Sequence, residues 1–114
     1  MPRKLPSYLR TLRLERGLSQ GDLAKLLGIS ISAVSRFEDL SRRPSVDVVL
    51  GIEVIFGMPP REAFPSLYSE IEDAVMAHAL ELYNRLERRT DLSSAEKLRL
   101  LKEMIERSEP PIQL

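Results

Sequence analysis

The chain has 114 residues, a length typical of one domain or of a small domain with an extension. Seventeen Lys and Arg residues balance seventeen Asp and Glu residues, and this zero net charge by itself argues against a nucleic-acid partner. The absence of cysteine excludes disulfides, thiol nucleophiles and cysteine-ligated metals, and a single histidine disfavours zinc sites and catalytic triads. No apolar stretch suits a bilayer span or a secretory signal, so we expect a folded cytoplasmic protein.

The first 65 residues read as five helices, because no segment alternates apolar and polar residues with the period of a strand. Ser19 and Asp22 have the spacing of a capping box at the start of the second helix, and Gly28 ends that helix. Ser30 is the expected N-cap of the third helix. The fourth helix has a predicted buried face made of Val46, Val49, Ile52 and Phe56.

The remaining residues predict two longer helices and a loose tail. One helix is expected from Ser66 to about Arg89, and a second from a capping box of Ser93 and Glu96 to about Arg107. Glu109-Pro110-Pro111 then ends all helix. The predicted organisation is therefore all-α, with one domain over 1–65 and a helical hairpin over 66–114.

The most informative segment has the sequence QGDLAKLLGISISAVSRFED, from Gln20 to Asp39. Two short helices that cross steeply need a small side chain where they meet and a residue tolerant of positive φ between them. Ala24 and Gly28 stand at these two places. The segment therefore predicts a helix-turn-helix.

The stretch from about Leu5 to Phe64 resembles the Cro/CI-type (XRE-like) helix-turn-helix family. The resemblance is carried by LSQ-x-x-LA, the LGIS turn, the SRFE end of the third helix and the RRPS entry to the fourth. It implies a five-helix, lambda repressor-like DNA-binding domain whose third helix lies in the major groove of double-stranded DNA.

The resemblance also implies which residues contact DNA. Arg36 is the best candidate for reading a base, since arginine bridges O6 and N7 of guanine, although a phosphate contact or a solvated side chain remains open. Ile31 stands where many relatives carry glutamine; it can pack on a thymine methyl group but cannot hydrogen-bond a base. The predicted DNA-binding residues are Gln20, Ser30, Ile31, Ser32, Ser35, Arg36, Arg42 and Arg43.

These residues divide by expected role. Gln20 and Ser30 are expected near backbone phosphates, and Arg42 and Arg43 flank the duplex with salt-dependent affinity. For each, an ordinary exposed polar side chain or cap is the alternative. The resemblance further implies that Arg13 and Glu38 form a structural ion pair between the first and third helices.

The C-terminal helices are the predicted dimer interface, because a single short helix reads too few base pairs. A second apolar stripe on the fourth helix, formed by Leu50, Val54 and Met58, also needs cover, and packing of the hairpin on it is the alternative. His78, on an apolar face, is expected in a core or interface rather than at a metal. The predicted interface residues are Ile71, Val75, His78, Leu82, Leu98, Leu101 and Ile105.

Together these observations predict a homodimeric transcriptional repressor that binds a two-fold symmetric operator. The alternatives are an antitoxin-like regulator that holds a protein partner through its C-terminal helices, and an interaction module that no longer binds DNA. No enzymatic activity, cofactor, metal, membrane or small-molecule ligand is expected. The charge fits this view, because residues up to Pro65 carry ten basic and seven acidic side chains, and the rest carry seven and ten.

Overall fold

The computed structural model describes residues 5–108, and that segment is helical with no strand. This confirms the all-α prediction; the predicted loose tail lies outside the described residues. The helices are α1 (Leu9–Glu15), α2 (Gln20–Leu27), α3 (Ile31–Asp39), α4 (Val46–Phe56), α5 (Pro60–Ala63), α6 (Pro65–Leu86) and α7 (Leu92–Ser108).

The boundaries of α2 and the start of α3 follow the capping interactions that the sequence predicts. The Ser19 hydroxyl accepts the Asp22 N–H at 3.0 Å, and the Asp22 carboxylate accepts the Ser19 N–H at 2.9 Å. The Ser30 hydroxyl likewise accepts the Ala33 N–H at 3.1 Å. Gly28 ends α2 with a φ of +69°, a left-handed conformation that costs glycine little.

The chain divides into two compact units, Met1–Glu70 and Ile71–Leu114. We call the described part of the first unit, 5–70, the head, and that of the second, 71–108, the hairpin. The boundary falls inside α6, five residues after the predicted domain end at Pro65, which itself begins α6.

One apolar cluster forms the core of the head. Gly51 brings α4 close to α2, because a Cβ at this position would stand only 2.7 Å from Cδ2 of Leu27. A larger residue would force the two helices apart or displace the leucine. The buried members of the cluster are Leu9, Leu23, Ala24, Ala33, Val34, Phe37, Val48, Ile52, Ala63 and Phe64.

The predicted buried face of α4 is partly wrong. Ile52 is fully buried, but Val46 is 72% exposed, and Val48 is buried in its place. Since Val48 and Ile52 are four residues apart, they share one side of the helix, and Val46 lies outside that stripe. Val49 and Phe56 are half-buried at the edge of the core.

The second stripe of α4 is largely uncovered. Leu50 is more than half exposed and Val54 is 85% exposed, whereas Met58 packs against the head core.

The hairpin consists of the C-terminal part of α6, a turn and α7. α6 ends at Leu86, three residues before the predicted end. The predicted capping box of Ser93 and Glu96 is wrong, because α7 begins at Leu92 and Asp91 is its N-cap. The Asp91 carboxylate accepts both the N–H and the hydroxyl of Ser94, at 3.1 and 2.8 Å, so an acid two residues earlier outcompetes the serine.

A small core holds the two helices of the hairpin together. Its buried apolar residues are Ala79, Leu86 and Leu101, with Leu82, Tyr83, Leu98 and Met104 packed against them. Within residues 5–108, no helix combines the length and the hydropathy that a bilayer span requires.

Candidate nucleic-acid interface

α3 separates a buried face from an exposed one. Ala33, Val34 and Phe37 point into the head core, and each is at most 7% exposed. The opposite side is open to solvent and carries the four predicted groove-facing residues, Ile31, Ser32, Ser35 and Arg36. The structure thus brings these side chains together on one accessible face, as binding in a groove requires.

At the N-terminal end of this face, the apolar residue Ile31 lies between the polar residues Ser30 and Ser32. Ile31 is 56% exposed, and its Cδ1 lies 3.7 Å from the point where a Cβ of Gly21 would stand. Beside it, the hydroxyls of Ser30 and Ser32 are 3.2 Å apart and hydrogen-bond to each other.

A buried ion pair joins α1 to the end of α3, as the resemblance implies. Arg13 Nε donates to Glu38 Oε2 at 2.7 Å, and Arg13 Nη2 donates to Oε1 at 3.2 Å. The two side chains are only 8% and 6% exposed. Arg13 Nη1 also donates to the carbonyl of Leu18 at 2.9 Å, so the guanidinium ties three parts of the head together.

Gln20 belongs to the same network, which the sequence did not reveal. Its side-chain nitrogen donates to Glu38 Oε1 at 2.9 Å, and the residue is half-buried. One amide N–H is therefore engaged by α3, which leaves only the second N–H to donate to a phosphate. Residues 18 positions apart carry no local pattern that would predict this contact.

The loop after α3 begins with an unusual backbone conformation. Leu40 has a φ of 57° and is the one non-glycine residue of the segment 5–108 with a positive φ. Its side chain packs against the head core, and the Arg42 N–H donates to the Arg36 carbonyl at 3.3 Å. Leu40 thus packs on the core while the loop returns to the backbone of α3.

The two loop arginines have different surroundings. The Arg42 guanidinium lies 5.4 Å from the centre of the Phe37 ring, within the range of a cation–π contact. Arg43 Nη2 donates to Glu70 Oε1, and both side chains are largely exposed. A phosphate that binds Arg43 therefore has to displace the Glu70 carboxylate. The sequence did not predict this ion pair.

An acidic residue also borders the exposed face of α3. The Ser41 N–H donates to the Asp39 carboxylate at 2.8 Å and holds the pKa of Asp39 below its ordinary value of 3.8. Asp39 is therefore charged at neutral pH. Repulsion between this carboxylate and phosphates limits how close the end of α3 can approach a DNA backbone.

An open polar cleft of about 550 Å³ lies between these elements. It is lined by Arg10, Arg13, Ser19, Gln20, Ser35, Glu38 and Asp39. Its two arginines are matched by two acidic side chains, so the lining is polar and mixed in charge. In the described part of the chain, no three His, Asp or Glu side chains are grouped as metal ligands.

Comparison with known proteins supports what the geometry indicates. Residues 9–62 match the model of a family described as helix-turn-helix. Over this segment, which is slightly less than half of the chain, the protein is similar to the helix-turn-helix family. The match begins at the first residue of α1 and ends within α5, one residue before that helix ends.

Three archaeal relatives illustrate the similarity, and each carries the provisional name HTH-type transcriptional regulatory protein. The chain is 33% identical over 86 residues to one from Pyrococcus furiosus, which is 70% of this chain and 27% of that protein. It is 33% identical over 73 residues to one from Methanocaldococcus jannaschii, or 64% and 23% of the two lengths. A Methanosarcina acetivorans protein is 38% identical over 50 residues, or 44% and 15%.

The chain thus spans about a quarter or less of the length of these curated relatives. No solved structure gives a significant match.

Proposed function

We propose that the chain is a sequence-specific DNA-binding transcriptional regulator that represses by occupying a two-fold symmetric operator as a homodimer. The observation that carries this proposal is the exposed face of α3. Its residues are hydroxyl, guanidinium and aliphatic side chains on a helix whose opposite face is locked into the core. Such a helix enters a major groove with its orientation already defined.

Phosphate contacts around the helix support the same function. Gln20 stands at the start of α2, where the helix dipole attracts an anion and the Asp22 carboxylate in the same turn offsets part of that attraction. Arg42 and Arg43 are exposed in the loop after α3 and supply sequence-independent attraction. Because Arg43 is paired with Glu70, its contribution is reduced until a phosphate replaces that carboxylate.

The test is selection from random duplex DNA followed by binding measurements on three arginine variants. Arg36→Ala is expected to relax the preference for one base pair, because a bidentate contact to guanine is lost. Arg43→Ala is expected to weaken all sequences alike and to lower the salt dependence. Arg99→Ala, which removes an equally exposed arginine of α7, is the control and leaves binding unchanged.

Recovery of symmetric sites with half-sites about 34 Å apart supports a dimer on DNA. Selection that enriches no sequence, together with affinity independent of salt, rules out the proposal.

The hairpin is the proposed dimer interface. Of the predicted interface residues, Leu101 is buried in the hairpin core, and Leu82 and Leu98 pack against it, so these three hold α6 and α7 together. The other predicted residues, Ile71, Val75, His78 and Ile105, are exposed, as are Leu80 and Leu100.

An apolar groove of about 320 Å³ runs along this hairpin. It is lined by Met76, Ala79, Leu80, Tyr83, Leu101 and Ile105. A second copy of the chain is its proposed occupant, because a two-fold operator needs two heads and a symmetric interface supplies them.

Sedimentation of the full chain over a range of concentrations tests this interface. Leu80→Glu is expected to convert a dimer to a monomer while the helical content is unchanged, since a charge is then placed in the apolar contact. Leu92→Glu, at an even more exposed leucine outside the groove, is the matched control. A dimer that survives Leu80→Glu places the interface elsewhere, and a stoichiometric foreign protein on the hairpin favours the antitoxin-like alternative.

A further inference from the structure

One large apolar side chain on α3 lies mostly outside the core of the head. Ile31 is 56% exposed, whereas the other apolar residues of α3 are at most 7% exposed. It lies at the first position of the helix, where the neighbouring Ser30 already provides the cap. Neither the core nor the helix terminus therefore requires an isoleucine at this place.

The surroundings of Ile31 make it a defined contact point. Its Cδ1 lies beside Gly21 in the first turn of α2, and branching at Cβ restricts its rotamers further. The flanking hydroxyls of Ser30 and Ser32 hydrogen-bond to each other. The N-terminal end of α3 thus presents a stiff aliphatic group between two hydroxyls.

The major groove of unmodified DNA displays one kind of methyl group, the 5-methyl group of thymine, among hydrogen-bond donors and acceptors. We propose that Ile31 recognises this methyl group at one fixed position of each half-site. The proposal rests on the proposed function, since it assigns a base to a helix that has to lie in the groove. The proposal predicts that the selected duplexes carry a T·A pair at this position of each half-site. A polar side chain in place of Ile31 would favour a different base pair there.

Deoxyuridine provides a direct test, because it differs from thymidine only by the missing methyl group. In a duplex obtained by selection, each thymine of a half-site is replaced singly by deoxyuridine, and the affinity of the full chain is measured. We expect a loss of about fourfold at one position per half-site, the value for one buried methylene-sized group, and little change elsewhere.

Substitutions then connect that position to the side chain. Ile31→Ser, which matches the flanking serines, is expected to bind the thymine and deoxyuridine duplexes equally. Ile31→Val retains the branched methyl groups and is expected to preserve the discrimination, which also guards against a folding defect in the serine variant. Leu26→Ser changes a comparably exposed leucine of α2 and is expected to leave the discrimination intact.

The outcomes separate this inference from the function on which it rests. A chain that enriches no duplex overturns both. A chain that enriches a duplex but tolerates deoxyuridine at every position overturns the assignment of Ile31 alone. The same holds if the Ile31→Ser variant still distinguishes the two bases at the position where the wild type does.

Discussion

The head and the hairpin differ in how much apolar surface each buries within itself. Ten buried apolar residues, nine of them in α1 to α5 and the tenth Phe64, form the core of the head, whereas three form that of the hairpin as described to residue 108. Two helices meet along a single line, so the outer sides of Ile71, Val75 and Leu100 have nothing of the hairpin to pack on. The head is therefore suited to hold a defined surface, and the hairpin is suited to gain stability from a partner.

Their ion pairs show the same contrast. In the head, Arg13 and Glu38 are buried and tie α1 to α3. In the hairpin, Arg99 and Glu96 are 3.5 Å apart, lie on one helix and are 70% exposed. A buried pair fixes an arrangement of helices, because each charge is costly without the other, whereas an exposed pair adds little.

Removal of one acid from each unit tests this difference and has the largest expected effect. Glu38→Ala leaves Arg13 buried without its carboxylate and is expected to lower the free energy of unfolding by about 3–5 kcal/mol. Glu96→Ala is the matched change in the hairpin and is expected to cost at most about 0.5 kcal/mol. Urea denaturation followed by circular dichroism measures both. Equal losses would show that the two pairs contribute alike.

The helices of the head were predictable because their signals are local. Caps at Ser19 and Ser30 and the turn at Gly28 depend on residues within four positions, and the structure shows all three. The face of α4 was harder, since Val46 and Val48 are equally apolar and only packing decides which one is buried. Sequence predicts that a helix exists better than it predicts how the helix is rotated.

For the candidate site, too, the sequence predicted the helix face but not the side-chain contacts between distant residues. The exposed face of α3 follows from helical periodicity and from the resemblance. The contacts of Gln20 with Glu38 and of Arg43 with Glu70 join residues 18 and 27 positions apart, and no spacing rule connects them. Both contacts change the expected role of Gln20 and Arg43, because each side chain was expected to be free to bind a phosphate.

A substitution in the core of the head has the next largest expected effect. It tests whether the buried apolar side chains of the head stabilise its fold. Ile52→Ala removes a fully buried side chain and is expected to cost about 3 kcal/mol of unfolding free energy. Val54→Ala, two residues along the same helix and 85% exposed, is the control and is expected to stay within about 0.5 kcal/mol. Thermal or urea unfolding of both variants provides the measurement. A large loss at Val54 would instead reveal that the exposed stripe of α4 is covered in solution.

The smallest expected effect concerns the helix cap at Asp91 in the hairpin, which resembles the cap at Asp22 in the head. The Ser94 hydroxyl and then its N–H hold the pKa of Asp91 below its ordinary value of 3.8, as the Ser19 N–H and hydroxyl do for Asp22. A carboxyl whose pKa is lower in the folded state stabilises that state above its unfolded pKa, and the stabilisation is lost as the pH falls through the folded value. We therefore expect Asp91→Ala to lower the urea midpoint of the hairpin at pH 7 and to lower it less near pH 2. Asp91→Asn retains a capping oxygen without the charge, so it should keep more of the stability at pH 7 and lose its pH dependence. An effect of Asp91→Ala that is the same at both pH values would assign the cap to hydrogen bonding alone, with no contribution from the charge.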